Sequence, residues 1–284
     1  MSKIFSRTFR VRWSELDANG RVSPASYLRY LVETAYDWGD ALGLGATNDQ
    51  ALGLFWLIRE TEIHLFRPMH HNDVFEFTIW MVSWQRVRGT RCFEIKLKDS
   101  GEVIAQGTQH IVCMDSRTQR PASPPEQIIN NFRLDDPLVF PFERFPKVSA
   151  AIGSVYSCQR QVEWQDLDAL EHVNNAIYVT YAEEAAAQHL DSLGWPPQKL
   201  AEQGLLLAAR RVHIQYLSPA VWGEVLNIST HLLSSNASAG VRYIGMTRAD
   251  GSLVAECILD WAVLDRQTGL PRELPPGMAA SLTV

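Results

Sequence analysis

The chain of 284 residues carries a second copy of part of itself, and that repeat constrains its fold more than any other feature. Sliding the sequence by 151 positions lays Val11–Ala35 over Val162–Ala186. Of those 25 positions 11 are identical: Val11, Trp13, Leu16, Asp17, Ala18, Val22, Ala25, Tyr27, Tyr30, Glu33 and Ala35. The register persists downstream. Leu42-Gly43 meets Leu193-Gly194 and Pro68 meets Pro219; after one deletion, Gly101, Asp115 and Thr118 meet Gly251, Asp265 and Thr268. A period this long exceeds the roughly 20–50 residues of a solenoid repeat, so whole domains are duplicated.

Each copy reads in the same order. A first strand (Phe9–Trp13; Gln161–Trp164) leads into an acidic corner and then one helix of four or five turns. Tyr27, Leu31, Ala35, Trp38 and Leu42 form its apolar stripe in the first copy. Ser23-Pro24 and Asn174-Asn175 are helix starts, while Gly43-Leu44-Gly45 and Gly194-Trp195-Pro196-Pro197 are stops. Alternating runs then predict strands at Leu54–Leu65, Asp73–Trp84, Gly89–Lys98 and Val103–Met114, and again at Leu205–Tyr216, Glu224–Leu233, Gly240–Arg248 and Leu253–Leu264. Asp99-Ser100-Gly101 and Asp250-Gly251 mark hairpin turns. One helix per several antiparallel strands is an α+β pattern. The proline-dense stretch Arg120–Lys147 reads as a crossing linker, mostly extended. The expected division is a domain over residues 1–134, a linker over 135–153 and a domain over 154–284.

Hydrophobic residues at 46% and charged residues at 20% describe a globular, ordered chain. A net charge of −6 argues against nucleic acid as the main partner. Cys92, Cys113, Cys158 and Cys257 form no CxxC pair and read as reduced thiols. No apolar run approaches the roughly 18 residues of a membrane span, so a cytosolic protein is expected.

Asp17 and Asp168 occupy matching places where the first strand turns into the helix. A carboxylate there can act as base or nucleophile towards a carbonyl held at a helix N-terminus, although acidic residues also settle near helix starts for dipole and turn reasons alone. His172 lies four residues after Asp168 and can carry a proton at working pH, whereas its counterpart Arg21 cannot serve as a base. Asn174, Asn175 and Ser23 cap helices in the simplest reading, with the first-turn amides free to hold an oxyanion. His70-His71-x-Asp73 looks like a metal cluster, but its counterpart in the second copy has no histidine, and neither metal nor cofactor is expected. Arg86, Arg88 and Arg91 make a local basic cluster suited to an acidic carrier or to phosphates. Nine tryptophans exceed the needs of a small core, and Trp56 is a candidate cavity residue beside Asn175 and the three arginines.

The run DLDALEHVNNAIYVTYAEEA resembles the signature of hotdog-fold thioesterases, specifically the fatty acyl-acyl-carrier-protein thioesterases. ALGLFWLIRETEIHLFRPMHHNDVFEFTIW, RGTRCFEI and GEVIAQGTQHIVCMDSRTQRPASPPEQI are similar in order to that family's N-terminal half. The resemblance implies tandem hotdog domains, each a long helix wrapped by an antiparallel sheet, together forming an intramolecular pseudo-dimer. It implies an acyl chain lying largely in the first copy and hydrolysis of an acyl-carrier-protein or coenzyme A thioester at the second corner; pairing of such chains into a homodimer is left open. The family pattern there is Asp-x-Asn-x-His. Asp168 and His172 match it, while Leu170 stands at the Asn position. Copy one has the complement, with Asp17 and Asn19 matching and Arg21 in place of His. The Glu-Cys pair of the plant enzymes falls on Leu217-Ser218-Pro219-Ala220. Two alternatives stand beside hydrolysis: a hydratase or dehydratase of enoyl or hydroxyacyl thioesters, and a non-catalytic acyl-thioester-binding protein.

Overall fold

The computed structural model describes residues 3–42, 53–141, 145, 148 and 150–283, which fall into two units, Met1–Phe142 and Glu143–Val284. Unit 1 runs β1 (Ile4–Arg10), α1 (Pro24–Ala41), β2 (Leu54–Leu65), β3 (Val74–Gln85), β4 (Arg88–Leu97), β5 (Val103–Asp115) and α2 (Glu126–Phe132). Unit 2 runs β6 (Ile152–Gln161), α3 (Asn175–Ser192), α4 (Pro197–Glu202), β7 (Leu205–Tyr216), β8 (Val225–Ser235), β9 (Ala239–Thr247), β10 (Leu253–Asp265) and α5 (Pro276–Ser281). The antiparallel strand order in unit 1 is β1-β3-β4-β5-β2. Unit 2 repeats it as β6-β8-β9-β10-β7. With one 18-residue helix packed against each sheet, both units are hotdogs.

Two boundaries differ from the sequence reading. The first strands end at Arg10 and Gln161, and Trp13 and Trp164 instead open single 3-10 turns. The inward phase of both edge strands contains arginine, Arg7 bonded to Asp37 and Arg160 over the Tyr181 ring, so their alternation is hidden. The proline-dense stretch is not all linker. Pro121 bridges Met114, and Pro125 caps α2; Pro271 and Pro275 do the same for Leu264 and α5. Proline before a first turn is as much a helix start as a sign of extended chain. The expected stop Gly43-Leu44-Gly45 lies outside the described residues.

The helix-facing side of the unit 1 sheet is aromatic. Phe75, Phe77, Ile79, Phe93 and Ile95 are fully buried, Phe77 stacks on Phe93 at 5.5 Å, and Phe75 meets Tyr30 of α1 at 4.8 Å. Gly107 sits opposite Phe93 in the register, where any Cβ would run into the Phe93 ring and the Glu62 carbonyl.

One clamp, repeated in both units, ties strand end to helix. Glu15 Oε2 accepts from the Arg12 amide at 2.6 Å and from the Tyr30 hydroxyl at 2.5 Å, while its carbonyl accepts from Ser23 N at 3.0 Å. Asp166 Oδ2 accepts from Glu163 N at 2.8 Å and from Tyr181 at 2.5 Å, and its carbonyl accepts from Asn174 N at 2.9 Å. Asp166 is only 4% exposed, so these donors stand in for water around a buried charge.

Unit 2 also buries a cationic group with no carboxylate bonded to it among the described residues. Arg242 Nη1 donates to His189 Nδ1 at 2.6 Å and to Thr230 Oγ1 at 3.2 Å, and His189 Nε2 faces Ser154 Oγ at 3.1 Å. Burial, reinforced by the charges of Arg242 and His231, brings the His189 imidazolium down to about 4 from 6.5. His189 therefore stays neutral in the fold while the unfolded chain takes up its proton below 6.5.

Two outcomes follow. Tyr181→Phe leaves the buried Asp166 carboxylate short of a donor and lowers stability by about 1.5–3 kcal/mol in urea unfolding, a charged-group hydrogen bond's worth. The stability held by neutral His189 is intact above pH 6.5 and drains away as the pH falls towards 4, so Tm declines across that window. His189→Gln, which keeps an acceptor for Arg242, flattens that part of the Tm profile.

Candidate active site

The clamp delivers the chain into a tight loop that is the same in both units. Leu16 bridges Val22 and Leu167 bridges Val173, so Asp17 and Asp168 stand at the loop mouths. Asp17 N donates to Arg21 O at 2.7 Å, and Asp168 N donates to His172 O at 2.9 Å. The fold-back needed to bring the backbones of Asp168 and His172 together is thus built into the loop. Each aspartate also closes it from inside: Asp17 Oδ1 accepts from Asn19 N at 2.7 Å and Arg21 N at 3.0 Å, and Asp168 Oδ1 accepts from Leu170 N at 2.9 Å. Retention of aspartate in both copies therefore has a turn-forming cause of its own. The loop tip needs left-handed backbone, supplied by Gly20 at φ 74° in unit 1 and by Glu171 at φ 61° in unit 2. A glutamate there is strained, and the strain sits next to His172.

The corners differ in exposure and in charge. Asp168 and His172 are half-buried, whereas Asp17 is exposed and Asn19 half-buried. Arg21, in the place of His172, is only 8% exposed, and its Nη1 finds no acceptor. Burial pulls the Arg21 guanidinium below its usual range, against the opposing pull of Asp17 and Tyr27.

Asn174 is the cap of α3. Its side-chain oxygen accepts from Ala176 N at 2.9 Å, and its carbonyl accepts from Ile177 N at 2.9 Å. Two of the amides expected to face an oxyanion are therefore occupied, and the expectation narrows to the amide of Asn175. Asn175 is half-buried, with its carbonyl accepting from the Tyr216 hydroxyl at 3.0 Å.

The arginine cluster does not exist as one surface. Arg86 and Arg88 are exposed at the β3–β4 hairpin, Arg86 with φ 54°. Arg91 is three residues beyond Arg88 on β4 and so projects from the opposite face. It donates through Nε to Gln109 Oε1 at 2.8 Å, and Gln109 in turn donates to Thr61 at 2.9 Å. Burial brings the Arg91 guanidinium down to about 10. Trp56 is half-buried on β2, edge-on to Trp84 at 5.3 Å. His70 and His71 gather no third ligand: the described residues contain no cluster of three or more His, Cys, Asp or Glu able to hold a metal.

Two features escaped the sequence reading. Buried tyrosine hydroxyls of the helices hold the loops beside each corner, Tyr27 accepting from Met69 N at 3.4 Å and Tyr178 from Ala220 N at 3.0 Å. Burial pushes the Tyr178 phenol up to about 12. Ala220 O also accepts from Val173 N at 2.9 Å, which seats the loop carrying Leu217-Ser218-Pro219-Ala220 against the His172 corner. Identity of Tyr27 and Tyr178 in the repeat was the available signal. The second feature is a cavity of 190 Å³ in unit 1, lined by Glu62, His64, Phe66, Gln106, Gly107, Thr108, Phe140 and Pro141. His64 Nε2 lies 3.1 Å from Glu62 Oε1. Ile63 between them is buried against α1's side of the sheet, so this pair points the other way, under the segment pinned by the Trp80 indole to Leu138 O at 2.7 Å.

Among the described residues no helix is long and apolar enough to cross a membrane. The palmitoyl-acyl carrier protein thioesterase of Gossypium hirsutum is 25% identical over 194 residues, 64% of this chain and 47% of that protein. The long-chain acyl-CoA thioesterase FadM of Escherichia coli is 28% identical over 114 residues, 39% of this chain and 83% of that one. The chain spans about half the length of the plant relatives it matches. In fold it is similar to the 12:0-ACP thioesterase from Umbellularia californica, with a TM-score of 0.75 at 19% identity over 95% of each chain. An acyl-ACP thioesterase from Bacteroides thetaiotaomicron aligns at TM-score 0.72 and 19% identity, covering 92% of this chain and 100% of that one. The model of the thioesterase-like superfamily matches twice, over residues 11–132 and again over 162–282, and the chain belongs to that superfamily.

Proposed function

We propose that this protein hydrolyses acyl thioesters and that the unit 2 corner carries the reaction. The observation that supports this most directly is the asymmetry of the two corners. Asp168 is half-buried in a loop closed by His172, whose imidazole has a nitrogen able to carry a proton, whereas Asp17 is exposed in a loop closed by Arg21, whose guanidinium cannot accept one. In this reading the Asp168 carboxylate takes a proton from water as the water oxygen attacks the thioester carbonyl carbon. The Asn175 amide at the positive end of α3 holds the developing oxyanion. Collapse of the tetrahedral intermediate breaks the carbon–sulfur bond, and His172 passes a proton to the departing thiolate. The products are a carboxylic acid and a free thiol.

The names of the relatives support both carriers. The plant proteins are acyl carrier protein thioesterases and FadM is an acyl-CoA thioesterase. The acid released is a fatty or related one, and the setting is cytosolic, in keeping with four free cysteines of which three are buried.

A thiol-release assay over saturated acyl chains on both carriers tests the reading. Asp168→Asn should lower kcat by about 10²-fold or more, the scale of a lost general base, with KM little changed. Asp17→Asn should keep activity within about twofold, since a solvent-exposed carboxylate outside the reacting centre contributes little. Equal turnover by Asp168→Asn and the parent would overturn the assignment.

A further inference from the structure

Unit 2 leaves two neighbouring indoles in water. Trp164 is 72% exposed and Trp222 65% exposed, with ring centroids 5.8 Å apart and planes at 84°. Tryptophan is mostly covered in folded chains, and a rigid exposed cluster of apolar rings marks a surface that meets something. A perpendicular pair encloses a right-angled corner in which one ligand group reaches the faces of both rings.

Backbone holds the pair in place. Trp222 sits in the turn Val221–Glu224, closed by Glu224 N to Val221 O at 3.2 Å and by Val221 N to Glu224 Oε2 at 3.0 Å. That turn is stitched twice to the strand end before Trp164, Val162 N to Glu224 O at 2.8 Å and Gly223 N to Val162 O at 3.1 Å. Trp164 itself opens the short turn that ends at the clamped Asp166.

Comparison of the two copies shows what the second corner gained. Arg10 and Arg12 of unit 1 become Gln161 and Glu163, Gly20 becomes Glu171, and His71 becomes Trp222. Glu163 and Glu171 are exposed. Arg160, in the place of Phe9, is the one cation added, and it lies 5.1 Å over the Tyr181 ring and 4.0 Å from Glu163. Arg248 is held by Glu224 at 2.9 Å. The exchanges replace basic groups by acid and by a second ring, which is the combination that attracts a cation.

We propose that Trp164 and Trp222 form a binding site for a quaternary ammonium group, with the Glu163 carboxylate beside it. Such a group spreads its charge over apolar methyls and is drawn to indole faces more than to those of other rings. It has no N–H to satisfy, whereas a lysine ammonium or a guanidinium would face carbon with its donors unmet. Anionic ligands are repelled by Glu163 and Glu171. The unit 1 corner, with His71 for the second indole and arginines for the acid, does not take the same group. This binding stands whether or not the chain hydrolyses thioesters.

Calorimetry and tryptophan fluorescence with choline chloride test it on the whole chain, with sodium chloride at equal ionic strength and the neutral carbon isostere 3,3-dimethylbutanol as controls. Choline should bind saturably and more tightly than the isostere. Trp164→Leu and Trp222→Leu should each weaken choline about two- to fivefold, the worth of one exposed ring, and the phenylalanine variants should lose less. Glu163→Gln should weaken choline and leave the isostere unchanged, and Trp13→Leu should leave choline affinity where it was. Absence of saturable choline binding, equal affinity for the isostere, or equal loss in Trp13→Leu would each overturn the site. Sedimentation with phosphatidylcholine vesicles separates the two sources of the group. Capture that free choline reverses assigns a lipid headgroup, choline binding without capture assigns a free ammonium compound, and capture by phosphatidylglycerol vesicles alone would overturn the cation reading.

Discussion

A carboxylate gripped by a helix tyrosine, buried in unit 2 and half-buried in unit 1, is the contact on which both halves of this protein depend. Asp166 and Glu15 each accept from a tyrosine one helix turn or more into α3 and α1, from a backbone amide at the strand end, and through their carbonyls from the residue at the helix cap. Three elements are pinned by one residue, so the angle at which strand becomes helix is set, and with it the position of the loop that follows. Because the Asp166 charge is out of water, its clamp has to be fully satisfied or it costs stability. That requirement explains why Tyr30 and Tyr181 survive in a repeat that changed most of its neighbours.

Much of this was legible in the sequence. The repeat announced two domains, the stripe through Tyr27 and Leu31 announced a helix, and Ser23-Pro24 marked its start, because these signals are local. What was not legible came from pairing. Arg7 and Arg160 in the inward phase hid the true extent of β1 and β6, and Pro125 at the head of α2 looked like linker.

The local geometry around the candidate residues was legible in part. The backbones of Asp168 and His172 meet across the loop, and Asn174 caps its helix. The oxyanion donors were overcounted because the cap consumes amides from both its side chain and its carbonyl. Arg86, Arg88 and Arg91 looked like one patch in the linear chain, yet odd spacing on a strand sends Arg91 into the sheet interior with Gln109. Identity in the repeat singled out Tyr27 and Tyr178 without giving their role, because nothing in sequence tells a packing tyrosine from one that holds a loop.

The strained tip at Glu171 beside His172, against Gly20 beside Arg21, has a consequence for how such a chain diversifies. In an assembly of identical subunits every substitution appears twice, so a change that improves one corner is forced on the other. Covalent fusion breaks that symmetry. One gene can then hold an imidazole at one corner and a guanidinium at its twin, and selection is free to change each without imposing the same change on the other.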